Sequence, residues 1–221
     1  MDVKEAVALR RSIRAFKPEP VSREILTGIV ERALWAPSWG NTQPWKLLVV
    51  GGWTLKTIAR ESAALFEQGE PTRADFVMPE QFSDDQNVRY RELGKDLLTS
   101  VGIQRGDTAG RNAYYLDMMR FFDASWVVYL SLEKNCAPYA LMDGGILLQT
   151  IALLAAEAGL GSCFLARSVA YPDVVKRHAG IEDDRGLAMG LAVGIPDPDH
   201  PINRFERKRG APEDMIQWIS D

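Results

Sequence analysis

The longest apolar run of the chain, residues 146–156, constrains the fold more than any other feature of the sequence. Gln149 interrupts the run, which is shorter than the roughly 20 apolar residues that a membrane-spanning helix needs. It lies within a predicted helix of about residues 140–158 that has no polar stripe, and such a helix has to be covered by other elements. We therefore predict a buried helix, no membrane span, and a second copy of the chain against part of its surface.

Helices and short strands are predicted elsewhere in the chain. Asp2 and Glu5 form a capping box for a first helix that ends near Arg10, and Ser22 caps a second helix that ends at Pro37. Short apolar runs predict strands at residues 45–50, 124–132, 162–166 and 186–194. Helices and a small mixed sheet in one chain predict an α+β fold.

The segment from about residue 68 to residue 112 breaks this regular pattern. It is polar, contains prolines and glycines, and is too long for a simple connection. We predict a functional insert with short helices of its own, inside a single domain of residues 1–221. Five aromatic residues in and after the insert are candidates for lining a substrate pocket, with simple packing as the alternative: Phe76, Phe82, Tyr90, Tyr114 and Tyr115.

Composition argues against several classes of function. The formal net charge is −4, whereas general nucleic-acid binding needs a broad basic surface. The cysteines, Cys136 and Cys163, and the histidines, His178 and His200, do not cluster, which argues against a metal site and a disulfide framework. The N-terminus begins with acidic residues and has no apolar run typical of a signal peptide. We expect a cytoplasmic protein with a local anion site.

Residues 10–17 place a cluster of cations in a chain that is acidic overall: Arg10, Arg11, Arg14 and Lys17. Planar guanidinium groups and the hydroxyl of Ser12 suit the oxygens of a phosphate group. Prolines 18 and 20 would stiffen the backbone that follows. The alternative is that the cations stabilise the C-terminal end of the first helix and are otherwise solvated.

Two further segments have the chemistry of a binding site. In "APSWGNTQPW", residues 36–45, the amides of Asn41 and Gln43 can hydrogen-bond the edge of a flat heteroaromatic ring while proline and tryptophan cover its face. The alternative is a capping loop without a ligand. In "INRFERKRGAP", residues 202–212, a second group of cations is either a phosphate contact or a solvated basic turn.

Taken together, these segments resemble the nitroreductase family of flavin mononucleotide (FMN) enzymes. The resemblance also includes "RRSIRAF" at residues 10–16, "FFDASWVVY" at residues 121–129 and "GLGSCF" at residues 159–164, in the family's order. The insert, with "GIQRGD" at residues 102–107, is most similar to a nitrobenzoate-reductase-like subgroup. The resemblance implies a central mixed or antiparallel sheet flanked by helices, an extended C-terminal segment, and a homodimer with two FMN sites at its interface.

The resemblance also implies which residues bind the phosphate end of FMN. Arg10, Arg11 and Ser12 match the contacts to the phosphate and ribityl chain, and Arg207 and Arg209 match the phosphate contacts near the C-terminus.

For the ring, the resemblance implies that Arg14 reaches the isoalloxazine edge or the nicotinamide, and that Arg120 contacts the pyrimidine edge. Asp117 departs from the family, which commonly has an amide there, so Asp117 either contacts the flavin or pairs with Arg120 or Arg14. A loop from the second subunit is implied to lie along the flavin and to contribute Pro37, Ser38, Asn41 and Gln43.

The implied activity is hydride transfer from NADH or NADPH, through flavin N5, to nitroaromatic or quinone-like acceptors by a ping-pong mechanism. It requires no side-chain nucleophile, no other catalytic residue and no metal. Arg14 and Arg120 are candidates for stabilising the negative charge of reduced flavin. The alternatives are another reaction on the same scaffold, such as dehalogenation or flavin fragmentation, and a non-catalytic module that binds or stores FMN.

Overall fold

In residues 1–220, the part of the chain that this computed structural model describes, four strands form one antiparallel sheet. The strands are β1 (Lys46–Gly51), β2 (Trp126–Glu133), β3 (Gly161–Leu165) and β4 (Arg185–Gly194). They lie in the order β1-β2-β4-β3, and every adjacent pair is antiparallel. The predicted α+β class is confirmed, and each predicted strand is found within two residues of its expected position.

The main helices cover both faces of this sheet, and the alternation of side chains along β2 shows why. Val127 and Tyr129 pack on one face, and Val128 and Leu130 pack on the other, because successive side chains of a strand point to opposite sides. The helices are α1 (Val3–Leu9), α2 (Arg23–Ala33), α3 (Gly52–Glu67), α4 (Asp84–Ser100), α5 (Thr108–Met119), α6 (Pro138–Glu157) and α7 (Pro172–Ala179).

The predicted buried helix is α6, and it is longer than the apolar run that suggested it. Leu147, Ile151 and Ala155 are buried on the face that packs on the sheet and α2. Met142 and Ile146, on another face, are 61% and 39% exposed. By length and hydropathy alone α6 could cross a membrane, but its buried face makes it a core helix of this fold.

One predicted boundary was wrong, and two local features were not predicted. The second helix ends at Ala33, before Pro37, because a residue that precedes a proline is disfavoured in helical conformation. Helix α7 was not predicted, although Pro172 at its first turn and Gly180 in the left-handed region after it are standard boundary signals. The apolar residues near the C-terminus are exposed in this chain: Met215, Ile216, Trp218 and Ile219.

A nearly buried ion pair holds the first part of the insert against the sheet. One oxygen of Asp75 lies 2.8 Å from the ammonium of Lys176 in α7, and the other accepts a hydrogen bond of 2.9 Å from the backbone N–H of Leu187 in β4. Next to it, Gly186 leaves room for the ring of Phe76, which lies 2.8 Å from where a Cβ would be. The insert is therefore fastened to the fold at its N-terminal side.

We expect Asp75→Asn to lower the free energy of unfolding by about 3 kcal/mol, because Lys176 would remain buried without its counter-charge. Urea unfolding followed by circular dichroism measures this change. The matched control is Glu182→Gln, which breaks the exposed pair with Lys46 and should change stability little. Equal effects of the two substitutions would contradict the special role of the buried pair.

Candidate functional site

A cavity of about 630 Å³ opens between the N-terminal segment, helix α4 and the C-terminal segment. It brings together six of the predicted site residues: Arg10, Arg11, Ser12, Arg14, Arg207 and Arg209. We call this group the phosphate cradle. Residues of α4 and of the C-terminal segment complete the lining, among them Arg89, Tyr90, Leu93, Asp96, Phe205, Lys208 and Met215.

The N-terminal half of the cradle is fixed by backbone pairing with the ends of the sheet. The N–H of Ile13 donates to the carbonyl of Ser162 at 2.9 Å, and Phe16 forms an isolated antiparallel bridge with Pro196. Two glycines permit this close approach, since a Cβ would lie 2.8 Å from Ile13 at Gly161 and 2.7 Å from Phe16 at Gly194. The segment predicted to hold a phosphate is therefore a rigid part of the fold.

The C-terminal half is joined directly to the N-terminal half. The guanidinium group of Arg207 donates hydrogen bonds to the carbonyls of Ala8 and Arg10. Buried Asn203 accepts a hydrogen bond from the backbone N–H of Arg14 at 2.8 Å and donates one to the carbonyl of Ala15, also at 2.8 Å. The two ends of the polypeptide thus converge on one site, as the sequence predicted.

The cradle has an excess of positive charge that fits an anion. Burial, and then the charges of Arg207 and Arg209, lower the pKa of Arg10. Burial, followed by Arg207 and Arg14, likewise lowers the pKa of Arg11. The Nε atom of Arg10 is buried and has no hydrogen-bond partner among the described residues. A buried donor without a partner is costly, and a phosphate oxygen would supply one.

The rest of the cavity suits a flat ring. The guanidinium group of Arg11 lies 5.7 Å from the centre of the Phe205 ring and donates a 2.7 Å hydrogen bond to the Phe205 carbonyl. Tyr90 and Leu93 of α4, with Met215, add apolar surface to the same cavity. A cationic part beside an apolar part matches FMN, which joins a phosphomonoester to an aromatic ring system, so the residues present fit this cofactor.

The insert contributes to the site through one longer helix and not through several short ones. Helix α4 begins with a capping box formed by Ser83 and Gln86, a signal that the sequence analysis did not use. Of the five aromatic candidates, Tyr90 lines the cavity, and Phe82 stacks on it with ring centres 5.4 Å apart. The other three pack against neighbouring aromatic or core residues: Phe76, Tyr114 and Tyr115.

The loop of residues 36–45 lies outside this cavity. Residues Trp39–Asn41 form a 3-10 turn, and Gly40, Asn41 and Gln43 have positive φ angles of 56°, 55° and 46°. The side chains of Pro37, Asn41 and Gln43 are exposed, and Ser38 is half-buried. Within one chain this loop does not line the cavity, and its role at the flavin of a second subunit stays a prediction.

Arg120 also lies outside the cavity, at the C-terminal end of α5, where it is exposed. Burial raises the pKa of Asp117, although the charge of Arg120 opposes this. No ion pair joins Asp117 to Arg120 or to Arg14 in residues 1–220. Arg14 instead lies beside the hydroxyl of Tyr114. Burial raises the pKa of this hydroxyl, and the charge of Arg14 partly opposes the increase. The roles of Arg120 and Asp117 at a flavin stay predictions.

Asp143, in the middle of α6, is a polar residue that the sequence analysis missed. It is 5% exposed, and its two oxygens lie 3.2 and 3.1 Å from the backbone nitrogen of Trp39, whose N–H they accept. Asp143 could have been identified from the sequence, because it is a carboxylate within a helix that was predicted to be buried.

Comparisons with known proteins agree with this geometry. Residues 7–195 match the family model described as "Nitroreductase family". The structure superimposes with a TM-score of 0.96 and 35% identity, over 100% of both chains, on the FMN and NADPH-dependent nitroreductase NfnB from sphigopyxis sp. strain HMH. The chain is 28% identical to a 4-nitrobenzoate reductase of Pseudomonas putida, over 94% of this chain and 91% of that protein. It is 41% identical to a protein of Thermus thermophilus named "NADH dehydrogenase", over 95% of this chain and 94% of that protein.

Proposed function

Because this chain belongs to the nitroreductase family, we propose that it is an FMN-dependent oxidoreductase that uses NAD(P)H to reduce nitroaromatic acceptors. The observation that carries this function is the cradle, in which guanidinium groups from both ends of the chain surround a buried, unpartnered Nε of Arg10. When bound, FMN supplies the hydride chemistry, accepting a hydride from the nicotinamide and delivering electrons to the acceptor.

The chain's own contribution is to bind and orient the cofactor. We propose that Arg10, Arg11, Ser12, Arg207 and Arg209 hold the phosphate end, since their charges converge there. The cations that line the cavity outnumber its carboxylates, Glu92, Asp96 and Glu206, and Asp96 is already paired with Lys208. Arg14 would face the isoalloxazine ring or the incoming nicotinamide, and Arg120 would contact the pyrimidine edge of the isoalloxazine ring. From the partner subunit, one loop would lie along the ring and contribute Pro37, Ser38, Asn41 and Gln43.

No side chain is proposed to act as a nucleophile. Cys163 is the cysteine nearest to the cradle, but it is 1% exposed, and burial raises the pKa of its thiol. A protonated, inaccessible thiol is a poor nucleophile. The protein therefore acts through position and charge, and the cationic cradle would favour a cofactor that becomes more negative on reduction.

We propose that the chain functions as a homodimer with two FMN sites at the interface. Met142 and Ile146 form an exposed apolar stripe on α6, with Gly145 between them. Trp218 and Ile219 near the C-terminus are 87% and 88% exposed. Surfaces of this kind are typical of interfaces between subunits. A cytoplasmic location and quinone-like acceptors complete the proposal, and the free thiols of Cys136 and Cys163 agree with a reducing compartment.

The test is a titration of the purified protein with FMN, followed by anaerobic reduction with NADH or NADPH and reoxidation by 4-nitrobenzoate. We expect a yellow protein that is bleached by at least one nucleotide and regains its colour with the acceptor. Two relatives are named for different nucleotides, so both are compared. Tight FMN without reduction would favour a storage module, and reduction without reoxidation by the nitroaromatic would favour another reaction on the scaffold. A protein that binds no FMN would contradict the proposal.

A further inference from the structure

The placement of Asp143 needs a physical reason. A buried carboxylate is costly unless it is paired, yet no basic side chain forms an ion pair with Asp143 in the described chain. Its hydrogen bonds go to a single donor, the backbone N–H of Trp39, which lies 3.2 and 3.1 Å from its two oxygens. The contact that Asp143 makes is therefore with one loop, residues 36–45.

That loop has a backbone conformation that does not persist without support. Asn41 and Gln43 have φ angles of 55° and 46°, in a region that residues other than glycine seldom occupy. Such conformations are maintained where the surroundings hold them. The loop has internal hydrogen bonds, for example 3.0 Å from the N–H of Gln43 to the hydroxyl of Ser38. Internal bonds fix its shape but do not fix its position on the protein.

Two buried side chains of opposite charge fasten the loop at its two ends. Asp143 holds the N–H of Trp39, and Arg185 donates a hydrogen bond of 3.2 Å to the carbonyl of Pro44. Arg185, the first residue of β4, is itself held by the neighbouring strand β2, because it donates a hydrogen bond of 3.1 Å to the hydroxyl of Ser131. Between these anchors the two amide side chains of the loop remain exposed. The amide of Gln43 donates a hydrogen bond of 3.2 Å to Oδ1 of Asn41, and the remaining donor and acceptor groups of both side chains stay exposed.

The anchor is also next to the surface that a second subunit would cover. Met142, Gly145 and Ile146, the exposed apolar stripe of α6, are within three residues of Asp143 on the same helix. A loop fastened to Asp143 therefore lies beside this stripe. Its exposed amide groups would face across the interface once two chains associate.

We propose that Asp143 is a positioning residue that fixes the loop of residues 36–45 in the place and conformation in which its amide groups reach the FMN of the partner subunit. The inference rests on the proposed function. Asp143 does not touch the cofactor, and its effect on the flavin passes through the backbone of Trp39.

The test compares Asp143→Ala, which removes the acceptor, with Asp143→Asn, which keeps one acceptor oxygen in nearly the same shape. Hydrogen exchange of the apo protein reports on residues 36–45, and fluorescence titration gives the dissociation constant of FMN. We expect Asp143→Ala to lose protection in this segment and to bind FMN roughly tenfold more weakly, the effect of one or two lost hydrogen bonds. Asp143→Asn should retain most of both. If Asp143→Ala does not fold, Asp143→Ser, whose hydroxyl is too short to reach Trp39, takes its place.

The matched control is Ile58→Ala in α3, which creates a cavity in the core on the opposite face of the sheet, where no residue of the loop packs. It should lower stability without changing exchange in residues 36–45 or the affinity for FMN. Wild-type protection and affinity in Asp143→Ala, or equal losses in the alanine and asparagine variants, would overturn the inference while leaving the proposed function intact. Failure of the wild-type protein to bind FMN would overturn both.

A mixed dimer tests whether the loop acts on the partner's site. One subunit carries Asp143→Ala, and the other carries glutamate at Arg10 and Arg207. If the loop acts across the interface, one site combines an intact cradle with an intact loop and binds FMN with wild-type affinity. If the loop serves its own subunit, both sites are defective and no wild-type site remains, which would overturn the inference.

Discussion

Replacing Arg10 and Arg207 together by glutamate is expected to weaken FMN binding by roughly a thousandfold or more, because each charged hydrogen bond contributes about 1.5–3 kcal/mol and the new carboxylates repel the phosphate. The two residues come from opposite ends of the chain but lie in one cavity, and the guanidinium group of Arg207 already contacts the carbonyl of Arg10. Isothermal titration of the apo protein with FMN measures the loss.

Riboflavin provides an internal control, since it has the same ring as FMN but lacks the phosphate. The wild-type protein should prefer FMN strongly, and the double variant should bind the two compounds with similar, weak affinity. A general loss of structure would instead weaken the binding of FMN and of riboflavin by the same factor, and neither compound would still bind through its ring. A variant that retained the preference for FMN would contradict the assignment of the cradle.

Arg207 has structural hydrogen bonds as well, so two further variants separate its roles. Arg209→Glu changes a cradle residue whose recorded hydrogen bond is to the neighbouring carbonyl of Lys208, and it should weaken FMN binding with little effect on thermal stability. Lys56→Glu/Lys134→Glu reverses two exposed charges outside the cavity, and it should leave both affinities unchanged. Weakening by this control would point to a non-specific effect of net charge.

Ile146→Glu is expected to convert the proposed dimer into monomers and to remove most FMN binding at the same time. Ile146 lies in the exposed stripe of α6. In a two-fold interface, both copies of the introduced carboxylate would be buried without a group of opposite charge. The monomer should still fold, because the side chain is 39% exposed in the single chain. FMN binding should fall because each cradle would lose the loop of the other subunit.

Light scattering with size-exclusion chromatography measures the mass, and the visible absorbance of the same peak measures bound flavin. The matched control is Val77→Glu, which introduces the same charge at a 96% exposed position of the insert and should remain dimeric and yellow. A monomeric Ile146→Glu protein with full FMN affinity would show that the site is complete within one chain. A dimeric one would show that α6 does not form the interface.

The elements with strong local signals were predictable from the sequence. The capping box of Asp2 and Glu5 and the cap at Ser22 are both found, because each satisfies backbone donors with a side chain a few residues away. The convergence of residues 10–14 with residues 207–209 is not a local property, and it was predicted through the resemblance of the ordered motifs to a known family.

Other features depend on contacts that a sequence pattern does not contain. Asp143 is one of several polar residues in a mostly apolar helix, and only the fold shows that the N–H of Trp39 lies within its reach. The polar helix α4 has one well-buried residue, Leu97, so hydrophobic periodicity could not reveal it. The apolar residues of the C-terminal segment are exposed in this chain, and a sequence pattern does not say which surface they would pack against.

The joining of Arg207 to the carbonyls of Ala8 and Arg10 also bears on how the protein matures in the cell. During translation the first arginines leave the ribosome early, while the last ones emerge when synthesis is almost complete. On the role proposed for Arg207, the phosphate cradle is complete only when synthesis is almost finished, so tight loading with FMN is expected to follow release of the polypeptide. Premature termination upstream of Arg207 is expected to yield a product that binds FMN weakly, even if the remaining sequence folds.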